Sequence, residues 1–265
     1  MDNAVQAFLT NLIDDAGLFP PATLPMDEAV AGHVAAKASS FGWIMDRFVC
    51  SSSRLDELEA ALPPEVADEP WDLAVVADGD FDPTVDRPGL VLRLVETRGL
   101  PDFDPHPSIE VFCEQVDIGT CLENGHGAKI RCGGATADLY PSPGAVAAFV
   151  AECAQLGVRM KATAGLHHPV RAVDPATGIT NHGFLNVVGA AVLAHGGTTD
   201  EAILTALVAE EDPAAFTLNH EIYRWRDLAA NAAQIADARR ELFVGIGSCS
   251  FTEPVGDLVS LGMLS

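Results

Sequence analysis

The sequence predicts one α/β domain, a (β/α)8 barrel of the TIM type with an N-terminal helical extension and room for irregularity in its second quarter. Three observations point there. About eight short segments rich in Val, Ile and Phe read as strands, with helical segments concentrated between the later ones. No repeat, linker or low-complexity segment divides the 265 residues, and closed α/β barrels run to about 250 residues as a single unit. No G-x-G-x-x-G follows the first strand, which counts against an open doubly wound sheet.

Residues 1–40 read as mainly helical, interrupted by DDAGLFPPATLP (14–25), where paired prolines exclude a helix interior and leave a structured loop. FGWIMDRFVC (41–50) reads as the first strand, and residues 53–62 as a helix that Ser53 can cap. Residues 71–78, 89–97, 109–116 and 128–134 follow as strands. Residues 142–157 form a helix with Ser142 as cap, Pro143 at its first position and Gly157 as its stop. RMKAT (159–163) is then the sixth strand. Helices are expected over 183–197 and 199–212, a short strand over 215–219, and a long helix over about 220–240. A last strand (242–251) and the helix TEPVGDLVSLGML complete the chain.

Composition narrows the function. Nearly half the residues are hydrophobic, 48%, which is ample for a core. The formal charge of −23 repels phosphate backbones and anionic membranes, so neither nucleic acid nor a membrane is expected as a partner. The apolar stretch FLNVVGAAVLA is too short to span a bilayer. The start MDNAVQAFLTNL lacks signal-peptide features, and scattered cysteines without C-x-x-C read as reduced thiols, which together imply a cytoplasmic protein. Association into homo-oligomers stays open.

Only three lysines occur, Lys37, Lys129 and Lys161, against 12 arginines. Two of the three fall in strand-like segments, against the usual surface use of lysine. Strand alternation places Glu114, Lys129, Arg131, Lys161 and Thr163 on the barrel's inner face, near the C-terminal ends where barrel enzymes keep their active sites. Inward charges must be paired or catalytic. Two readings follow: an internal salt-bridge network, or an amine poised by neighbouring cations to attack a carbonyl, with Glu114 moving protons. On the second reading Lys161 is the nucleophile and Lys129 and Arg131 support it. Arg47 binds an anionic substrate or pairs with Asp46 or Glu96.

MKATAG (160–165) resembles the Schiff-base strand of deoxyribose-phosphate aldolases, and VGIGSCSF (244–251) is similar to that family's phosphate-binding last strand. The resemblance implies an imine-forming Lys161 and anion binding by Gly247, Ser248 and Ser250. That family places a second lysine on its seventh strand, where this count of strands finds none, so Lys129 would substitute. Taken together, AGLFPPA, KIRCGG, KATAGLHHPVR, HGFLN and GSCSF resemble a bacterial family without an assigned function.

Apart from any resemblance, GIGSCSFTEP is a glycine turn with hydroxyls leading into a helix start, with Thr252 as a candidate cap; it is either an ordinary capped start or an anion site. His167 and His168 follow the sixth strand at the catalytic end, and His182 and Asn186 are expected near the same mouth. They serve acid–base chemistry, substrate orientation or hydrogen bonding. A divalent metal on His167 or His168, His182 and Glu114 is the alternative, without a local ligand motif to support it. No cofactor is otherwise predicted. The favoured expectation is a lyase of aldolase type acting on a small anionic carbonyl compound; the alternatives are a metal-dependent hydrolase or isomerase, or a non-catalytic ligand-binding barrel.

Overall fold

In the computed structural model, which describes residues 3–79, 81–134 and 136–265, eight strands pair in parallel and close on themselves. They are β1 (Ile13–Asp15), β2 (Met45–Ser51), β3 (Trp71–Val76), β4 (Leu90–Thr97), β5 (Glu110–Cys113), β6 (Gly127–Arg131), β7 (Met160–Thr163) and β8 (Phe243–Ser248). They follow chain order around the barrel, and β8 closes onto β1. The expected TIM-type barrel is therefore the observed architecture. Nine helices surround it among the described residues: α1 (Ala4–Leu9), α2 (Met26–Lys37), α3 (Leu55–Ala61), α4 (Ile118–Glu123), α5 (Pro143–Leu156), α6 (Phe184–His195), α7 (Glu201–Val208), α8 (Ala232–Glu241) and α9 (Thr252–Ser260). Met1 and Asp2, at the start of the expected helical stretch, lie outside the described residues.

The first and seventh expected strands need correction. β1 straddles the end of the stretch read as helical, which includes Ile13, and the start of the one read as a loop, which begins at Asp14. Three residues carry no periodicity, and two aspartates look like turn chemistry; the strand exists because Ile13, Asp14 and Asp15 register with Ile246, Gly247 and Ser248 of β8. Conversely, Phe216–Leu218 is not a barrel strand. It pairs antiparallel with Ile222–Trp225, which pairs in turn with Leu228–Asn231. The long helix expected over 220–240 is thus a hairpin followed by α8. Asn219 Oδ1 accepts the N–H groups of Glu221 and Ile222 at 2.9 and 3.0 Å, which turns the chain. Arg226 takes a left-handed backbone at the next turn, φ 50°. Asn231 then starts α8 through a reciprocal capping box with Gln234. With β1 counted, Lys129 lies on the sixth strand and Lys161 on the seventh.

Helix signals were legible to different degrees. Ser142 caps α5 and Gly157 ends it in a left-handed conformation, as the spacing predicts. Ser53 does not cap α3; it sits in the 3-10 turn Ser52–Arg54, and its hydroxyl binds Asp78 at 2.7 Å. Thr252 is the first residue of α9 rather than its cap, and the Ser250 hydroxyl accepts the Glu253 N–H at 3.3 Å.

The outward faces of the strands, with Val95, Val111, Ala128, Met160, Ala162 and Ile246, belong to the apolar layer beneath the helices. Helix α6 is buried from Phe184 to Ala194, as its apolar composition on every face requires. The second quarter is irregular, as expected: the β3–β4 and β4–β5 connections contain no helix among the described residues. Inside the barrel, Val49, Ala74, Leu94, Phe112 and Val244 form an apolar layer. The N-terminal extension is tied down by Arg239 of α8, which donates to the carbonyls of Phe8, Thr10, Asn11, Phe243 and Val244. Phe8 also stacks on Tyr223, with ring centroids 5.1 Å apart.

Just beyond β6 and β7 the two backbones nearly touch. A Cβ on Gly133 would lie 2.7 Å from the Gly165 Cα, and one on Gly165 would lie 2.8 Å from the Cys132 carbonyl oxygen. Gly165 also has φ 69°. This close approach accounts for Gly133 of KIRCGG and Gly165 of KATAG, while a Cβ on Gly134 would meet Leu139. Gly165→Ala should therefore destabilise the protein by about 2–4 kcal/mol, through strain and overlap together. Gly157→Ala, with φ 66° and open space around it, should cost only about 1 kcal/mol. Urea unfolding of the two variants checks the difference.

Candidate active site

The register between β6 and β7 places Lys129 directly beside Lys161. Like charges so paired repel, and both side chains point into the barrel, where water cannot screen them. Glu96, reaching across from β4, resolves the conflict. One of its oxygens lies 2.9 Å from Lys129 Nζ and the other 3.1 Å from Lys161 Nζ. Lys161 also pairs with Asp14 of β1, and Lys129 lies 3.0 Å from Glu114 just past β5. Asp14 in turn binds Arg47 Nε at 2.7 Å, and Arg47 lies 2.6 Å from Asp46. Seven charges therefore alternate through the interior: Asp46, Arg47, Asp14, Lys161, Glu96, Lys129 and Glu114.

Burial and charge oppose each other in this layer, and charge prevails at its centre. Burial opposes ionisation of Asp14 and Glu96, but the cations beside them hold both carboxyls below the ordinary range. Burial also opposes the Lys129 ammonium, yet Glu96 and Glu114 hold it above the ordinary lysine value. Asp46 differs: burial outweighs Arg47 and raises its carboxyl.

Above the layer, at the C-terminal ends of the strands, lies a cavity of about 550 Å³. Glu96, Glu114, Lys129 and Arg131 line its floor and one wall, with Arg98 at the rim. Phe19, Pro20, Val49 and Val76 make an apolar wall. The AGLFPPA segment thus lies at the mouth of the barrel. The Asp15 carboxylate that precedes it is held by the buried His33, 3.0 Å away. Two residues beside the charged groups, Gln115 and Ala164, have left-handed backbones, φ 62° and 63°. Such strain outside glycine turns the chain sharply at the strand ends and is concentrated at functional sites.

The candidate residues from the sequence divide into two groups. Lys129, Glu114, Arg131, Thr163, His167 and Gly247 all line the cavity. Lys161 lies beneath it, with its side chain 0% exposed, whereas that of Lys129 is 8% exposed. Arg47 is spent on Asp14 and Asp46, not on Glu96. Ser248 donates to the Ser250 carbonyl at 2.7 Å within its own turn. Three residues sit elsewhere. His168 faces Asp257 at 2.6 Å. His182 is buried against the Pro141 carbonyl at 2.8 Å, and burial holds its pKa below the ordinary value. Asn186 binds the backbone of Arg171, Leu207 and Glu210. The histidines and Glu114 are therefore not gathered into one ligand set, and no group of three or more His, Cys, Asp or Glu among the described residues is arranged to hold a metal ion.

Sequence reasoning missed Asp14 and left Glu96 as an optional partner of Arg47. Glu96 follows Leu92 and Leu94 at strand spacing, so the parity that located Lys129 would also have located it. Asp14 had no such signal. No protein-family profile, curated protein or solved structure matches the chain. No helix among the described residues is long and apolar enough to cross a membrane.

The charge layer sets the pH limits of stability. Asp14 and Glu96 lie below their ordinary 3.8 and 4.5 in the fold, so their contribution is complete above those values and drains away as the pH falls beneath them. Lys129 lies above its ordinary 10.5, so its contribution is complete below that value and is lost as the pH rises past it. The raised Asp46 partly offsets the loss in acid. Urea midpoints should hold level between about pH 5 and about pH 10 and fall on either side. Lys161→Met, which leaves two enclosed carboxylates under-compensated, should cost about 3–5 kcal/mol at neutral pH in the same titration.

Proposed function

We propose that this barrel is an enzyme acting on a small anionic, carbonyl-containing metabolite, through lysine-centred lyase chemistry of the aldolase type. The observation that carries the reading is Lys129, an amine at the floor of the cavity, held between two carboxylates. In this reading Lys129 is the amine that meets the substrate. Lys161, enclosed below, compensates Asp14 and Glu96 and fixes the layer on which Lys129 stands. The sequence reading favoured Lys161; accessibility favours Lys129. The likeness to deoxyribose-phosphate aldolases accommodates the exchange, since Lys161 occupies the seventh strand, where that family has its second lysine.

Each group has a chemical task. Lys129 rests protonated, because its carboxylate partners outweigh burial. It passes a proton to Glu114, 3.0 Å away, and the free amine adds to the carbonyl carbon. Glu114 returns the proton to the departing oxygen. Loss of water gives the imine, whose positive charge draws electrons from the bond between the α and β carbons. The β-hydroxyl gives up its proton as that fragment leaves as an aldehyde. The enamine that remains is protonated at its α carbon and hydrolysed to free the amine. Arg131 and Arg98 supply positive charge for the substrate's anionic group. Phe19, Val49 and Val76 exclude water from its carbon skeleton.

Borohydride reduction in the presence of a panel of small aldehydes, ketones and keto acids tests the proposal by intact mass and peptide mapping. A stable adduct on Lys129 is expected, forming faster as the pH rises toward the lysine range. Glu114→Gln should slow its formation about 100-fold, and Lys129→Arg should abolish it. An adduct on Lys161 would transfer the chemistry to that residue. If no lysine is modified by any member of the panel, imine catalysis fails as a description of this site.

A further inference from the structure

The cavity holds a second reactive group that imine chemistry leaves idle. Cys249, just past β8, lines it and is partly exposed, whereas the other five cysteines are buried. Its Sγ lies 3.6 Å from His167 Nε2 and 3.9 Å from His167 Nδ1, beside the ring, and His167 Nδ1 lies 3.1 Å from Glu253 Oε2. With the carboxylate accepting the Nδ1 proton, Nε2 keeps the lone pair that takes the thiol proton once the imidazole turns toward Sγ. His167 comes from the loop after β7 and Glu253 from the first turn of α9, 86 residues apart, so tertiary structure assembles the group. Thr163, in the same cavity, carries a buried hydroxyl without a hydrogen-bond partner. Such a group is costly unless a ligand oxygen satisfies it. Nucleophile, base, orienting carboxylate and a donor for the reacting oxygen are thus in one place.

We propose that Cys249 is a nucleophile for the carbonyl carbon of a small aldehyde, with His167 as its base and Glu253 holding the imidazole. The Sγ–carbon bond forms as the carbonyl π bond opens. The thiol proton passes through His167 to the former carbonyl oxygen, which becomes a hydroxyl in the cavity that Thr163 also lines. The product is a thiohemiacetal; nothing is oxidised or reduced, and the addition reverses. Burial pushes the Cys249 thiol up, so it rests protonated and requires the base. The inference rests on the carbonyl-substrate reading and narrows it: thiols add favourably to aldehydes and poorly to ketones, so the carbonyl is an aldehyde.

The test uses the intact protein and acetaldehyde labelled with carbon-13 at the carbonyl. Carbon NMR should show the sulfur-bound hemiacetal carbon in the wild type and lose it in Cys249→Ser. Iodoacetamide should modify Cys249 ahead of the other cysteines. His167→Gln should lower that rate by about tenfold or more, and Glu253→Gln, at an exposed position, should lower it by less. A hemiacetal signal that is missing in the wild type, or that survives Cys249→Ser, overturns the proposal. An alkylation rate unaffected by His167→Gln overturns it as well. The lysine chemistry is read separately by the borohydride adduct: an adduct on Lys129 without a hemiacetal signal sinks the thiol role and keeps the imine, and the opposite pair of results does the reverse.

Discussion

Glu96 holds apart two lysines that the barrel register forces side by side, and the charged interior depends on that carboxylate. Its two oxygens serve two different ammonium groups. Each lysine then has a second acid, Glu114 for Lys129 and, shared with Arg47, Asp14 for Lys161. The arrangement spans β1, β4, β6 and β7 and the end of β5, so it forms only after the barrel has closed. A layer of this kind is a poor route to stability, because desolvation takes back much of what the ion pairs contribute. Apolar residues of similar size would serve the fold as well. Two of the chain's three lysines nevertheless lie here.

The two lysines are chemically unequal although they are neighbours in the register. Lys161 is enclosed on all sides, whereas Lys129 stands at the boundary between the ionic layer and the cavity. The first can act only through its partners; the second can meet a molecule that enters from the mouth. Above them the walls divide by chemistry, with cations and carboxylates on the β4–β6 side and apolar side chains from the AGLFPPA segment, β2 and β3 on the other. A ligand with a charged end and a short carbon skeleton fits that division.

Rigid strands and mouth loops share the work. The strands fix Lys129, Arg131 and Thr163 within a hydrogen-bonded sheet. Glu114, His167 and Cys249, which also line the cavity, lie one to four residues past strand ends. The sharp left-handed turns at Gln115 and Ala164 begin at those same ends. In the second quarter, loops without helices replace the usual crossovers, so the rim there is built of irregular backbone that carries Arg98 and Asp78 to the opening.

The sequence by itself determined the fold class, the helix boundaries marked by Ser142, Pro143 and Gly157, and the inward direction of Glu114, Lys129, Arg131 and Lys161. These are local properties: a side-chain period of two, a capping hydroxyl, a proline that donates no hydrogen bond. Tertiary structure alone decided that Ile13–Asp15 is a strand, because three residues have no period and gain their form from the registers of β8 and β2. It alone decided that 220–231 is a hairpin, through the turn at Asn219 and the packing of Tyr223. It also decided which lysine faces the cavity and which histidine meets the thiol. Parity tells which side of a strand a group occupies. It does not tell how high that group stands in the barrel or which distant chain arrives beside it, and those are the quantities that separate a buried counter-ion from a reactive amine.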